Sequence, residues 1–237
     1  MAVDRVSGDA NAGVDRKTAL SSSLRHRILT MQIAPGSVLD EVALSEEFGL
    51  SRPPVRETMR QLAGEGFIEL EANRPARVTS MSYQSLRDFF LVAPMIYVAT
   101  TKLAAEVATK ADIAGLRDIQ DNFRDAVQSG NIDDRVFYND QFHLRIGEIA
   151  NNAYLLPSLR RLLIDHARIG KIFYRPSTQR MQQELEEASR QHDEIIDAIA
   201  NHDGERCDVL IRAHLDLSRK NMAMYAAPEG MNINMDV

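Results

Sequence analysis

The sequence predicts a mainly α-helical chain in two parts: a short helical segment closed by a small β-hairpin, then an all-α antiparallel bundle. Three observations predict it. Apolar residues recur at helical spacing along most of the 237 residues. Turn signals (Pro35-Gly36, Gly49, Gly66) cut the first 81 residues into short elements, whereas breaks beyond them are sparse. The β-like pairs, 67–70 and 76–79, are confined to one place.

Each element has a local reason. Residues 1–15 are small and polar without a period, which predicts a mobile tail. Leu20, Leu24, Ile28 and Met31 predict a helix over 16–32, stopped by Pro35-Gly36. A short helix over 41–48 ends at Gly49, a residue suited to a left-handed cap. Ser51 is expected to cap a third helix over 52–64, with Pro53 and Pro54 in its first turn. The hairpin follows around residues 72–75. This order is that of a winged helix-turn-helix. Beyond it, helices are expected at 83–109, 112–128, 132–150, 155–174, 178–202 and 204–225, with a kink or break at Pro94 and a loose tail at 227–237. The expected domains are therefore 16–81 and 82–226.

Composition narrows the function. One cysteine, Cys207, excludes a disulfide framework and a Cys-type zinc finger, and fits a reducing, cytoplasmic setting. No apolar run looks long enough to span a membrane, and none resembles a secretory signal at the N-terminus. Net charge is −6, but residues 16–82 carry nine Lys/Arg against eight Asp/Glu. Several of those arginines share one helix. Arg52, Arg56 and Arg60 stand at i, i+4 and i+8, opposite Val55, Met59 and Leu62. A helix with one packed face and one arginine face fits a DNA major groove, where arginine forks meet guanine edges or phosphates. A solvated charged face is the competing reading, and the surrounding helix–turn–helix–hairpin order favours DNA. Ser51 adds a hydroxyl at the helix start.

Histidines supply a second constellation. His143, His192 and His214 fall on separate helices beside apolar neighbours, with Asn139 one turn before His143. Imidazoles converging in a bundle suit a divalent metal with open positions, Zn²⁺ first, with Ni²⁺, Mn²⁺ or Fe²⁺ as alternatives. They equally suit direct hydrogen bonds to a small molecule. A bundle metalloenzyme is a third reading, but neither a Glu-x-x-His pair of the di-iron kind nor HExxH is present. His26 reads as surface, His202 as a helix end, and Cys207 as a small packed residue.

Residues 20–80 resemble the DNA-binding domain of the GntR family of bacterial transcription regulators. The resemblance rests on Ala34-Pro35-Gly36, Leu39, Leu44-Ser45, Phe48 to Arg52, Pro54 to Glu57, Leu62, Glu65-Gly66 and Asn73-Arg74. It implies that Arg52 and Arg56 meet operator bases, that Ser51 and Arg60 lie near phosphates, and that Arg74 and Arg77 serve the wing. Pro75 stands where similar wings often carry glycine.

Residues 83–226 resemble the helical ligand-binding domain of the FadR-type members, called FCD. Leu103-Ala104-Ala105, Asn139 to His143, Ala150-Asn151-Asn152, His192 to Ile195, Ala198-Ile199 and His214-Leu215 carry it. The resemblance implies a non-enzymatic repressor, a homodimer on double-stranded operator DNA, a small organic effector, and a metal at His143, His192, His214 and the position of Asn139. Metal-binding members have aspartate at that position; Asp140 is next door but rotated by about 100°. Similar domains also carry an arginine and a glutamate where this chain has Ala93 and Tyr97. Tyr97, Arg135, Arg168 and Lys171 are the candidate effector contacts.

Overall fold

The computed structural model describes residues 4–173 and 179–226. The chain divides into two compact units, Met1–Met81 and Ser82–Val237. The expected tail at 227–237 lies outside the described residues.

In the first unit, α1 (Asp4–Leu29) precedes α2 (Glu41–Phe48), α3 (Arg52–Glu65), β1 (Ile68–Glu69) and β2 (Arg77–Val78). The helix α1 begins at Asp4, inside the stretch read as a tail. Gly8 and Gly13 weaken helix there by about 1 kcal/mol each. No proline interrupts it, and extension from an existing helix adds one bond per residue. Leu20, Leu24 and Ile28 are fully buried and pack with Leu44, Val55, Met59, Leu62 and Val78 as one small core.

Caps set the lengths of the two following helices. Asp40 accepts hydrogen bonds from the backbone N–H groups of Val42 and Ala43, and Gly49 ends α2 at φ +58°. Ser51 takes the N-cap position of α3, but its side chain makes no capping hydrogen bond. The reason is chemical. A capping hydroxyl accepts from the second or third helical N–H, and here those residues are Pro53 and Pro54, which have none. The strands pair antiparallel as Ile68↔Val78 and Glu69↔Arg77, shorter than the sequence suggested. A bridge between Val38 and Arg77 adds a third segment that alternation did not reveal.

The second unit is helical throughout the described residues: α4 (Tyr83–Val107), α5 (Lys110–Ser129), α6 (Ile132–Ala150), α7 (Leu155–Phe173), α8 (Gln179–Ala200) and α9 (Gly204–Ala226). Capping boxes at Ser82/Ser85 and Thr109/Asp112 start α4 and α5, and Asn131 caps α6. Of the kink or break expected at Pro94, the break does not occur; α4 runs through it. Burial of Phe89, Ala93, Tyr97, Thr101 and Ala104 along its inner side holds the helix despite the missing N–H. Contrary to the expectation that no apolar run is long enough, this helix is long and apolar enough by length and composition to cross a membrane, a property that core helices share.

Gly147 allows α6 to approach α7 closely. A Cβ there would stand 2.3 Å from Leu159 Cδ2, which belongs to a fully buried side chain. Gly147 lies one turn beyond His143, so this contact fixes the part of α6 that carries the histidine. Gly147→Ala is expected to destabilise the protein by about 1–3 kcal/mol through overpacking, read as a lower urea midpoint. An unchanged midpoint would show that Leu159 can yield.

Candidate functional site

Two sites arise, one in each unit. On α3, Val55, Thr58, Met59 and Leu62 are buried, while Arg52, Arg56 and Arg60 are exposed. The arginine face is therefore solvent-facing as predicted. Several acids of the unit pair with cations of α1. On α1, Lys17 pairs with Glu57, Arg25 forks onto Glu65, and Arg27 pairs with Glu47. These pairs cancel charge that would otherwise offset the arginine face. The free hydroxyl of Ser51 sits at the start of the same helix. On the wing, Arg74 pairs with Glu71 at 2.6 Å and Arg77 donates to the Gly36 carbonyl at 3.1 Å; both residues are exposed. Asn73 takes φ +60° at the wing turn, a conformation that asparagine tolerates.

In the helical unit, α6, α8 and α9 bring His143, His192 and His214 together. One ring nitrogen from each lies within 4.8 Å of the others, and all three rings are buried. His192 Nδ1 is 3.0 Å from Gln120 Oε1, and His214 Nδ1 is 3.1 Å from Gln191 Oε1. Each amide is oriented by its other end. Gln120 donates through Nε2 to the Ser189 carbonyl at 2.7 Å, and Gln191 donates through Nε2 to Glu187 at 3.0 Å. Their oxygens therefore face the imidazoles, and an amide oxygen only accepts. Both Nδ1 atoms carry the proton and donate, so both Nε2 atoms of the neutral rings carry lone pairs. Those two Nε2 atoms lie 3.3 Å apart. Phe142 stacks on His192 with centroids 4.0 Å apart and holds its plane.

Orphaned atoms surround this point. Both ring nitrogens of His143 and the Oδ1 of Asn139 are buried without a hydrogen-bond partner. Burial holds His143 and His192 well below the usual histidine range, His166 at about 4 and His214 at about 3. The set is therefore three neutral imidazoles and a nearby amide oxygen, with lone pairs lacking a positive partner. That donor set fits a divalent metal. Asp140 is not part of it, although its Oδ1 is also buried and unpartnered, and burial raises its carboxyl to about 7.

Of the candidate effector contacts, the structure brings Tyr97 to the cluster. Its ring meets His143 edge-on at 5.0 Å between centroids, and its hydroxyl is 2.7 Å from His166 Nδ1. The three cations have structural partners. Arg135 donates to the carbonyls of Ala126 and Val127 at the end of α5, a capping role. Buried Arg168 pairs with Asp165, and Lys171 pairs with Asp133. None of these three therefore stands in for the arginine absent at Ala93 without a carboxylate or carbonyl partner of its own. His26 is exposed. His202 ends α8 at φ +57° with Nδ1 2.6 Å from the Ala105 carbonyl. Cys207 is buried, and burial pushes its thiol up to about 11.

His166, which the sequence places near the pocket, lies 5.1 Å from His143 between ring centroids, whereas Gln120 and Gln191 escaped sequence reading. Gln120 had a usable signal, because it interrupts the apolar stripe Leu116–Gln120–Phe123 on α5. Gln191 had none, since its partner lies on a different helix.

Comparison with known proteins places the chain in a family. Residues 17–78 match the family described as bacterial regulatory proteins, gntR family. Residues 94–217 match the FCD domain, just over half of the chain. The chain belongs to the GntR family and carries an FCD domain. It is a DNA-binding transcription regulator of the GntR/FCD type. It is 28% identical over 192 residues to the HTH-type transcriptional repressor RspR of Escherichia coli (strain K12), covering 81% of this chain and 82% of RspR. It is 25% identical over 203 residues to the HTH-type transcriptional regulator LutR of Bacillus subtilis (strain 168), covering 78% and 90%. Among solved structures, E. coli McbR/YncC superposes with a TM-score of 0.73 at 19% identity, covering 88% of this chain and 96% of that one. That likeness establishes the fold.

The buried histidines make stability depend on pH with a definite sign. Unfolded, each takes a proton near 6.5. Folded, His166 waits until about 4 and His214 until about 3, and His143 and His192 are also lowered. Between pH 6.5 and 4 the unfolded chain binds more protons, so stability falls with pH by about 1.4 kcal/mol per unit per histidine. Asp140 opposes one of them, because it takes its proton near 7 when folded and near 3.8 when unfolded. Urea midpoints of chelator-treated protein should therefore fall steeply from pH 6.5 to 4. Midpoints flat across that window would contradict neutral, buried imidazoles.

Proposed function

We propose that this regulator is a repressor whose helical unit senses a small organic metabolite beside a histidine-bound divalent cation. The observation that carries the proposal is the pair of Nε2 lone pairs facing each other at 3.3 Å, each tautomer held by a glutamine oxygen. Two lone pairs at that distance repel unless a positive centre lies between or beside them. His143, His192 and His214 would hold the metal, with Asn139 as the adjacent oxygen donor. Zn²⁺ is the first expectation, with Ni²⁺, Mn²⁺ or Fe²⁺ as alternatives, since imidazole suits all of them to differing degrees. When bound, the metal supplies a positive anchor for an oxygen of the effector. Tyr97 and His166, paired with each other, stand beside His143 from α4 and α7 as further hydrogen-bonding groups. The repressor sign is supported by relatives named as repressors, RspR among them.

The regulator acts on double-stranded operator DNA in the cytoplasm as a homodimer, each recognition helix serving one half-site. Exposed Leu91, Val92 and Met95 on α4 support self-association, because an apolar surface stripe of this kind favours cover. Effector and operator affinities are then linked reciprocally.

A second reading has one observation in its favour. Asn139 brings an uncharged oxygen where a carboxylate would offset the cation's charge, which weakens a metal site. In that reading the histidines hydrogen-bond the effector directly. Metal content separates the two. Untagged protein purified without chelator should carry about one metal per chain, and a His143→Ala/His192→Ala variant none. Gln120→Leu or Gln191→Leu should weaken Zn²⁺ binding about 10–100-fold while the protein stays folded. No metal in either protein, even after soaking with Zn²⁺, Ni²⁺ and Mn²⁺, would select the direct reading. On the DNA side, Arg52→Ala should cost about 1–3 kcal/mol of sequence discrimination. An equal loss on every duplex would instead make Arg52 a phosphate contact.

A further inference from the structure

We propose that Glu41 is a positioning residue for DNA reading: it holds Arg56 in the orientation that presents its guanidinium to a base edge. The inference rests on the reading that α3 enters the major groove and that Arg56 meets a base there.

The geometry is specific. Arg56 Nε donates to Glu41 Oε2 at 2.8 Å. Among the described residues, no carboxylate pairs in this way with Arg52 or Arg60, the other arginines of the same helical face. Glu41 is the first residue of α2, and Asp40 caps that helix start through the N–H groups of Val42 and Ala43. The carboxylate therefore projects from a fixed point rather than from a loop. The partner acids Glu47, Glu57 and Glu65 answer to cations on α1, whereas Glu41 answers to the recognition helix itself.

The consequence follows from guanidinium chemistry. With Nε engaged, the two terminal nitrogens remain as a planar fork, the arrangement that matches guanine O6 and N7. A long arginine otherwise samples many rotamers and loses that freedom on binding. An ion pair with Arg56 half exposed adds little to fold stability, so the effect of Glu41 falls on discrimination. Its negative charge also stands near the DNA-facing surface, where it disfavours phosphate. Removing it should leave sequence-independent binding unchanged or stronger, the opposite of what a damaged fold would do.

The test uses the full-length protein and a duplex selected by the wild type from a random-sequence library, compared with a scrambled duplex at one moderate salt concentration. Arg56→Ala should lower the selected-to-scrambled affinity ratio about 10–100-fold. Glu41→Ala should lower it about 3–10-fold, through weaker binding of the selected duplex alone. Glu41→Gln keeps an acceptor oxygen and should fall between. In the Arg56→Ala background, Glu41→Ala should cause no further loss, because its effect passes through Arg56. Equal weakening on both duplexes, or full additivity with Arg56→Ala, would overturn the positioning role. Loss in Arg56→Ala with no change in Glu41→Ala would also overturn it while leaving the reading of α3 intact. No loss in Arg56→Ala would remove the base-reading role beneath it.

Discussion

Two amide–imidazole hydrogen bonds organise the helical unit. Gln120 fixes the tautomer of His192 and Gln191 fixes that of His214, and together they turn two lone pairs onto one point. Each amide is in turn fixed by a group on α8: the Ser189 carbonyl and the Glu187 carboxylate. Three helices are thus tied to one another through the atoms that aim the imidazoles. Reversing either amide would place an N–H against an N–H and leave a buried donor without a partner, which costs more than a normal hydrogen bond contributes. The polar network is therefore held in one arrangement, with an electrostatic demand at its centre that no side chain of the cluster satisfies. His143 and Asn139 bring further unsatisfied atoms to the same region from α6.

In the DNA-binding unit the constraint is one of sign. The whole chain is acidic, at −6, yet α3 presents an arginine face to solvent. The basic residues of α1 reconcile the two. They pair with acids on α2 and α3, while Arg52, Arg56 and Arg60 face outward. The two prolines at the start of α3 add a second effect. They remove the N–H groups that a capping serine would bind, so the Ser51 hydroxyl has no local acceptor role and faces outward, at the place where a phosphate contact is expected.

Most of the architecture was legible in the sequence because it is written in short-range signals. The apolar spacing of Leu20, Leu24 and Ile28, the left-handed Gly49 and the histidines on apolar helix faces each depend on a few neighbouring residues. The errors came from features with competing local terms. Residues 1–15, small, polar and without a period, read as a tail, yet α1 begins at Asp4 within them. Pro94 reads as a kink or break, yet α4 continues through it because buried neighbours outweigh one lost bond. What could not be read was long-range by nature. The Val38 bridge, the link from Gln191 to His214 and the placing of Tyr97 against His166 join residues far apart in the chain. Periodicity carries no information about such pairs.

Where the protons sit on two rings decides the site, and nitrogen NMR of ¹⁵N-histidine-labelled protein reads this directly. In chelator-treated protein, His192 and His214 should carry protons on Nδ1 and bare Nε2 atoms. One equivalent of Zn²⁺ should shift both Nε2 resonances while both Nδ1–H groups persist. Nε2–H protons on either ring that survive Zn²⁺, or shifts at Nδ1 instead, would contradict the glutamine-held tautomers and the cation site built on them.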